Sequence, residues 1–389
     1  MPIDDYAAFT AFSAVLYLFP DIIGGGINRA LVRFSSEHIS ESGYKPYQLY
    51  FINFVLQFCL YASFCILILI IEKEVSNILF GKQSFDFALR YGLIAGTGFL
   101  ITEANRGIYR AEERFGEYVK TLFLRQIVIL VIISILYLRN RLNFQYAAKA
   151  VILSELIVAS VITLSLFNNF KFKNFIQLVK TQSYIIKDFI SSSGWLIVYT
   201  LIHACFSRLD IFMLSHYSVD EELANYGVAF RFYSTGLLLL GSIHTVLLPK
   251  FSKIDMQETV KQHRFTLNWL KSTGWIIIPI ALVLSSSKSL FIYIIGPQYE
   301  KAFLILIIFS IGIWISLMSS PLVNVLISRK DFKFLCFIGL GAFLINFIGN
   351  YLLIPIWGGL GAAIVTVFSH GFNNISSAIK VFSYEKSCI

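Results

Sequence analysis

The sequence predicts an all-α polytopic membrane protein of about eleven transmembrane helices. Two observations carry most of this. Hydrophobic residues make up 57% of the 389 residues and charged residues only 14%, where a soluble domain carries about 25% charged residues. The apolar residues are also gathered into runs of the length, about 20 residues, that crosses a hydrocarbon core. A mean hydropathy of +0.71 agrees.

The runs lie near 6–28, 49–71, 87–107, 119–138, 146–167, 189–214, 222–247, 266–288, 302–328, 332–355 and 358–380. Their connections are short. The longest, 168–188, alternates Lys with apolar residues and predicts an amphipathic helix on the cytoplasmic membrane surface that links two halves. The five cysteines show no CxxC or metal spacing and read as thiols of the membrane core. The formal charge of +9 is compatible with nucleic acid, but in a membrane chain basic loops set orientation. About 21 of the 32 Lys and Arg residues fall in one alternating set of loops, including Arg29, Arg33, Arg106, Arg110, Arg114, Lys250, Lys253, Arg329 and Lys380. That set is predicted to face the cytoplasm, and the C-terminus with it.

An internal repeat accompanies the bias. "LFGKQSFDFAL" (79–89) resembles "IIGPQYEKAFL" (294–304), with Gly81, Gln83 and Leu89 matching Gly296, Gln298 and Leu304 at an offset of 215. The same offset aligns Ala147, Ala148 and Ser154 with Ala362, Ala363 and Ser369. The second half then has six helices and the first five. The repeat and the bias both predict a six-plus-six plan whose first helix is missing from this chain. The predicted lobes are 1–167 and 189–389, related as a parallel duplication with the substrate site between them.

Ionisable residues within membrane helices are costly and point to function. Arg208 and Arg231 are placed at similar depth on neighbouring helices, with Asp210 nearby. Asp210 shares a helix face with His203, and either Arg231 or His203 is a candidate partner for it. The alternative for Arg208 is an outer-interface anchor paired with Asp210, although the two lie on nearly opposite helix faces. Asp21, Glu103, Arg106, Arg125 and Glu155 form a second set, and Asp21 precedes "IIGGGIN", whose glycines weaken the helix. Arg106 and Arg125 read either as cavity residues or as side chains snorkelling to the interface. Inward-facing arginines suit an anionic, phosphate-bearing cargo. Carboxylates beside them suit Na⁺ or H⁺ coupling, and no other cofactor is implied.

Four stretches carry a family resemblance: "GGGINRALVRFSSE" (24–37), "FSRLDIFMLSHYSVDEELANYGVAFRF" (206–232), "IIGPQYEKAFLIL" (294–306) and "NFIGNYLLIPIWGGLGAAIVTVFS" (346–369). In order and spacing they resemble the polysaccharide repeat-unit (O-antigen type) flippases of the multidrug, oligosaccharidyl-lipid and polysaccharide exporter superfamily. The resemblance implies two six-helix lobes around a central cavity in the cytoplasmic membrane. It implies alternating access that moves an undecaprenyl-diphosphate-linked oligosaccharide to the outer leaflet, for lipopolysaccharide O-antigen, capsule or a similar polymer. Arg208, Arg231, Asp210 and Arg125 become candidate cavity residues. Asp21, Glu103, Glu155 and His203 become candidates for coupling or gating. The implied partners are the lipid-linked glycan, membrane lipids and a polysaccharide polymerase.

Two other classes compete. A cation-coupled exporter of small molecules or drugs would favour acidic cavity residues over arginine. A membrane glycan-processing enzyme needs a large external catalytic loop or a paired His and acid, and the outside loops reach only about 15 residues without such a set.

Overall fold

The computed structural model describes residues 1–43, 45–82, 85–167, 183–253, 259–329 and 331–386. Within them all regular structure is helical. The helices are α1 (Ile3–Pro20), followed by a π-helical turn (Asp21–Gly25), α2 (Gly26–Ser42), α3 (Tyr47–Ile70), α4 (Glu72–Phe80), α5 (Asp86–Ala111), α6 (Phe115–Leu138) and α7 (Phe144–Phe167). Then come α8 (Ser183–Phe206), α9 (Leu209–Tyr217), α10 (Asp220–Lys253), α11 (Thr259–Gly274), α12 (Ile277–Ile295), α13 (Glu300–Ser328) and α14 (Phe332–Lys386).

Among the described residues, 8 helical stretches are long and apolar enough to cross a membrane. Two further helices, α5 with 26 residues and α10 with 34, have the length but are diluted by charged and small residues. The 55 residues of α14 comprise two segments that meet at Gly358. Taken this way, each of the eleven predicted runs falls on helix. The predicted surface helix at 168–188 lies mostly outside the described residues, since 168–182 are not among them.

The chain divides into two compact units, Met1–Arg208 and Leu209–Ile389. In the first unit α5 is the central helix and packs on α1, α7, α2 and α3. It is also the least apolar long helix of this unit, and the two facts have one cause. In lipid, polar and charged residues are tolerated only when turned inward, and small residues let backbones approach. Thus Asn105 and Arg106 of α5 are buried, while α6, with mean hydropathy 2.3, has only 6% of its spanning window buried. Gly98 shows how close the approach is. A Cβ there would stand 2.8 Å from the backbone carbon of Glu155 on α7. Gly98→Val is therefore expected to push α5 and α7 apart and to destabilise the unit by about 1–3 kcal/mol. A lowered melting temperature of the detergent-purified protein checks it. α8, which the sequence assigns to the second lobe, packs on α2 and the π-helical turn within the first unit.

In the second unit α13 packs against both α10 and α14, and α9 lies along α14. Two indoles tie α11 to α13. Trp269 Nε1 donates to the Leu317 carbonyl at 2.9 Å, and Trp314 Nε1 to the Thr273 carbonyl at 3.2 Å. Such pairing satisfies the one donor of a half-buried indole.

Several local features recur between the two units at the predicted offset. Gly81 (φ 65°) and Gly296 (φ 112°) each end a helix at positive φ, and the next long helices begin at Asp86 and Glu300. Ala147 and Ala148 are buried, as are Ala362 and Ala363. Ser154 and Ser369 are fully buried, and each hydroxyl donates to a carbonyl of its own helix.

The break in α14 has a specific lock. Gly358 sits at φ 53°, ψ −130°, and the N–H of Gly359 donates to Glu222 Oε2 at 2.9 Å. Glu222, in the first turn of α10, also takes Lys301 Nζ at 2.9 Å. A carboxylate at the N-terminus of the second segment satisfies an orphan N–H and complements the helix dipole.

Candidate functional site

Two neighbouring clusters in the first unit gather the ionisable residues picked out from the sequence. The first is a pocket of about 140 Å³ lined by Asp21 and Gly25 of the π-helical turn, Asn28 and Arg29 of α2, Glu103 and Arg110 of α5, and His203 of α8, among others. Local sequence explains it. Three successive glycines follow Asp21, and the helix there widens to π geometry. Such a bulge is a frequent feature of functional sites. Asp21, Glu103 and His203, predicted from the sequence as separate coupling candidates, are thereby brought to one cavity. Arg29 and Arg110 stand in the same lining, although their sequence positions read as ordinary cytoplasmic charge.

Glu103 is held on its own helix. It accepts Arg106 Nη1 at 2.7 Å and lies 3.7 Å from Arg110 Nη2. Arg106 itself is buried, with Nε donating to Thr121 Oγ1 at 2.9 Å and Nη2 to the Thr121 carbonyl at 3.0 Å. It clamps α5 to α6 and does not snorkel. Behind Asn28, Gln57 Nε2 donates to Asn28 Oδ1 at 2.7 Å and to Asn53 Oδ1 at 2.9 Å.

The second place is an arginine–carboxylate–tyrosine knot. Arg125 of α6 donates through Nε to Glu155 Oε1 of α7 at 2.6 Å, and through Nη2 to Tyr17 Oη of α1 at 2.8 Å. Its Nη2 also lies 2.5 Å from Glu155 Oε1. The Arg208 guanidinium stands 5.0 Å from the centroid of the Tyr17 ring, within cation–π range. Tyr17 in turn packs edge-on against Phe99, which lines the pocket. Arg125 and Arg208 thus converge on one aromatic ring that the sequence reading did not select, and Glu155 joins it through Arg125. An interior tyrosine carries no signal in a chain with 20 of them.

Arg208 lies in a two-residue break, Ser207–Arg208, between α8 and α9. In the second unit, Asp210 is buried. Its carboxylate accepts the Tyr226 hydroxyl and the Thr366 hydroxyl, the latter at 3.3 Å, while Oδ1 accepts the Ile211 N–H at 2.9 Å. These hydroxyl partners, on α10 and α14, were not selected from the sequence either. Arg231 occupies the exposed side of α10.

The chemistry available is therefore anion recognition and charge exchange within helices that cross a membrane. Guanidinium groups give strong, directional bonds to phosphate-like anions, and carboxylates stand beside them.

No curated protein matches this chain significantly. Among solved structures, it is similar to an inward-facing multidrug resistance MATE family transporter of the MOP superfamily, with a TM-score of 0.74 at 14% identity over 99% of this chain and 94% of that one. It is also similar to the lipid II flippase MurJ in an inward closed conformation, with a TM-score of 0.71 at 15% identity over 98% of this chain and 82% of that one. The bent form of the Vibrio cholerae MATE transporter VcmN gives a TM-score of 0.62 at 14% identity, over 97% and 89%. At these identities the likeness is one of fold. The profile of a polysaccharide biosynthesis family matches residues 1–255. The chain is a multi-pass membrane protein with the fold shared by these transporters, and it belongs to the polysaccharide biosynthesis protein family.

Proposed function

We propose that this protein is a translocase for a lipid-linked oligosaccharide repeat unit, moving it across the cytoplasmic membrane by alternating access during surface polysaccharide synthesis. The observation that carries the reading is the pair of guanidinium groups, Arg125 and Arg208, gathered on Tyr17 among membrane-spanning helices. A polysaccharide biosynthesis protein with cations at that depth suits a cargo that is both lipid and anion. An undecaprenyl diphosphate has this chemistry. Its diphosphate would engage the arginines, while its hydrocarbon chain needs no protein enclosure. The fold likeness to a lipid II flippase supports the same reading.

In this reading Arg231 and Asp210 serve the second unit's part of the substrate path, and Asp21, Glu103 and His203 form a gating pocket. The basic loops and the C-terminus face the cytoplasm, a polymerase takes up the product, and no chemical step is catalysed. The O-antigen branch is the specific assignment. A small-molecule exporter is the second reading, favoured by the two carboxylates in the first unit's pocket.

The test is complementation. Cells lacking their own repeat-unit flippase, with the matching glycan pathway, receive the chain or its Arg231→Ala variant. Restored surface glycan with the parent chain, and none with a variant present at equal level in the membrane, is the expected result. Undiminished display with Arg231→Ala removes Arg231 from the substrate path. Drug efflux without glycan display moves the assignment to the second reading.

A further inference from the structure

The geometry points to Glu155 as a proton-binding site that controls whether Arg125 is available to an anionic ligand. The inference rests on the translocase reading and adds to it the ion and the residue that couple to substrate binding.

The argument begins with an asymmetry in one carboxylate. Glu155 is fully buried. Its Oε1 takes both guanidinium contacts of Arg125. Its Oε2 is buried and has no hydrogen-bond partner among the described residues. A buried ion pair is stable when its remaining lone pairs are satisfied, and here half of the carboxylate is not. A proton on Oε2 would remove the charge from this unpartnered oxygen. The surroundings allow it. The helices packed on α7 are α1, α5 and α6. The charged or titratable groups they direct toward Glu155 are Arg125 on α6, Glu103 and Arg106 on α5, and, through Arg125, Tyr17 on α1. Arg106 is engaged by Glu103 and Thr121, so Arg125 is the cation in direct contact.

The charge balance follows. With Glu155 ionised, Arg125 and Glu155 form a neutral pair and the site is closed to anions. A proton from hydronium breaks an O–H bond there and forms one at Oε2, releasing water and leaving a neutral acid. The Arg125 charge is then uncompensated and attracts a phosphate oxygen. Loss of that proton restores the carboxylate, which reclaims Arg125 in competition with the phosphate. Glu155 thus stands in for the substrate's phosphate when the carrier is empty. Proton and anion bind together, so the anion binds more tightly at lower pH.

The test uses the full-length purified protein and its Glu155→Gln variant, with farnesyl diphosphate as the probe. Gln keeps the shape and a hydrogen bond to Arg125 but does not titrate. In an infrared pH titration, the parent chain is expected to show a protonated-carboxylic-acid band on acidification that is absent from Glu155→Gln and present, shifted, in Glu155→Asp. Above the pH range in which that band titrates, the parent's affinity for farnesyl diphosphate should rise about tenfold for each unit fall in pH, with about one proton taken up per probe bound. Glu155→Gln should bind tightly across the range without proton uptake. The same carboxylic-acid bands in the parent chain and Glu155→Gln overturn the proton site, and Glu155→Asp, which retains a titratable group, separates that result from misfolding of the Gln variant. Equal pH dependence of probe binding in parent and Glu155→Gln overturns the switch and leaves the translocase reading standing. A Glu155 band with no diphosphate binding at any pH overturns the coupling and removes the substrate reading, while the proton site stands.

Discussion

Arg125→Ala is expected to be the most damaging single change in the first unit. It removes the guanidinium that holds Glu155 at 2.5 Å and Tyr17 Oη at 2.8 Å. Glu155 is fully buried, so its carboxylate would be left without a counter-ion in a low-dielectric interior. Breaking one side of a buried pair costs about 3–5 kcal/mol, most of it the penalty for the abandoned partner. The melting temperature of the purified protein should fall sharply, and translocation should be lost. The diagnostic variant is the double replacement Arg125→Met with Glu155→Leu. Removing both charges together removes the penalty, and well-packed apolar replacements of buried pairs are often neutral or stabilising. The double variant should therefore recover most of the parent's stability while remaining inactive. Recovery of activity along with stability would mean that the pair serves only the fold.

The second large effect is expected at Gly358. Its φ of 53° with ψ −130° lies outside the regions open to residues with a Cβ. A Cβ at this position would also stand 2.5 Å from Glu222 Oε2, the atom that receives the Gly359 N–H. Backbone strain of this kind costs about 1–3 kcal/mol, and displacing Glu222 also takes its acceptor from the Gly359 N–H at the start of the following segment. Gly358→Ala should therefore destabilise the second unit, seen as a lower melting temperature and faster proteolysis within it. Glu222→Gln should reproduce a smaller part of the loss, since an amide oxygen still accepts the Gly359 N–H and Lys301 keeps Glu221 at 2.9 Å.

Much of the architecture is legible in the sequence because lipid imposes a simple rule on it. Runs of about 20 apolar residues become helices, since every backbone group must be satisfied internally. Only α5 and α10 resist simple hydropathy counting, because charged and small residues dilute their apolar runs. The offset of 215 is legible for a related reason. Gly81 and Gly296 both need positive φ, and the alanine pairs at 147–148 and 362–363 sit where helices touch. Ionisable residues in such runs are few, so Asp21, Glu103, Arg125, Glu155, His203, Arg208, Asp210 and Arg231 stand out individually.

Their partners do not. Arg125 meets Glu155 across 30 residues and Tyr17 across 108, and Asp210 meets Thr366 across 156. Which faces of two helices oppose each other depends on rotation about each axis, and depth along the membrane leaves that rotation undetermined. Sequence spacing therefore suggested Arg231 or His203 for Asp210, while the structure gives its carboxylate the hydroxyls of Tyr226 and Thr366. Likewise Arg29 and Arg110 read as members of a basic loop set, because a pocket lining is a property of several helices at once. The Ser207–Arg208 break is a further case. The run from 189 to 214 reads as one span, and the sequence reading sets no break within it.

The measurement that tests the central claim most directly is reconstitution. The purified protein is placed in vesicles holding a fluorescent undecaprenyl-diphosphate-linked oligosaccharide in the inner leaflet. Exposure of the glycan outside is followed with a membrane-impermeant glycosidase. The translocase account predicts that the parent chain exposes the glycan well above protein-free vesicles and that Arg125→Met with Glu155→Leu, equally folded and inserted, does not. Exposure at the protein-free rate by a folded parent chain, with glycans of several structures, would contradict it.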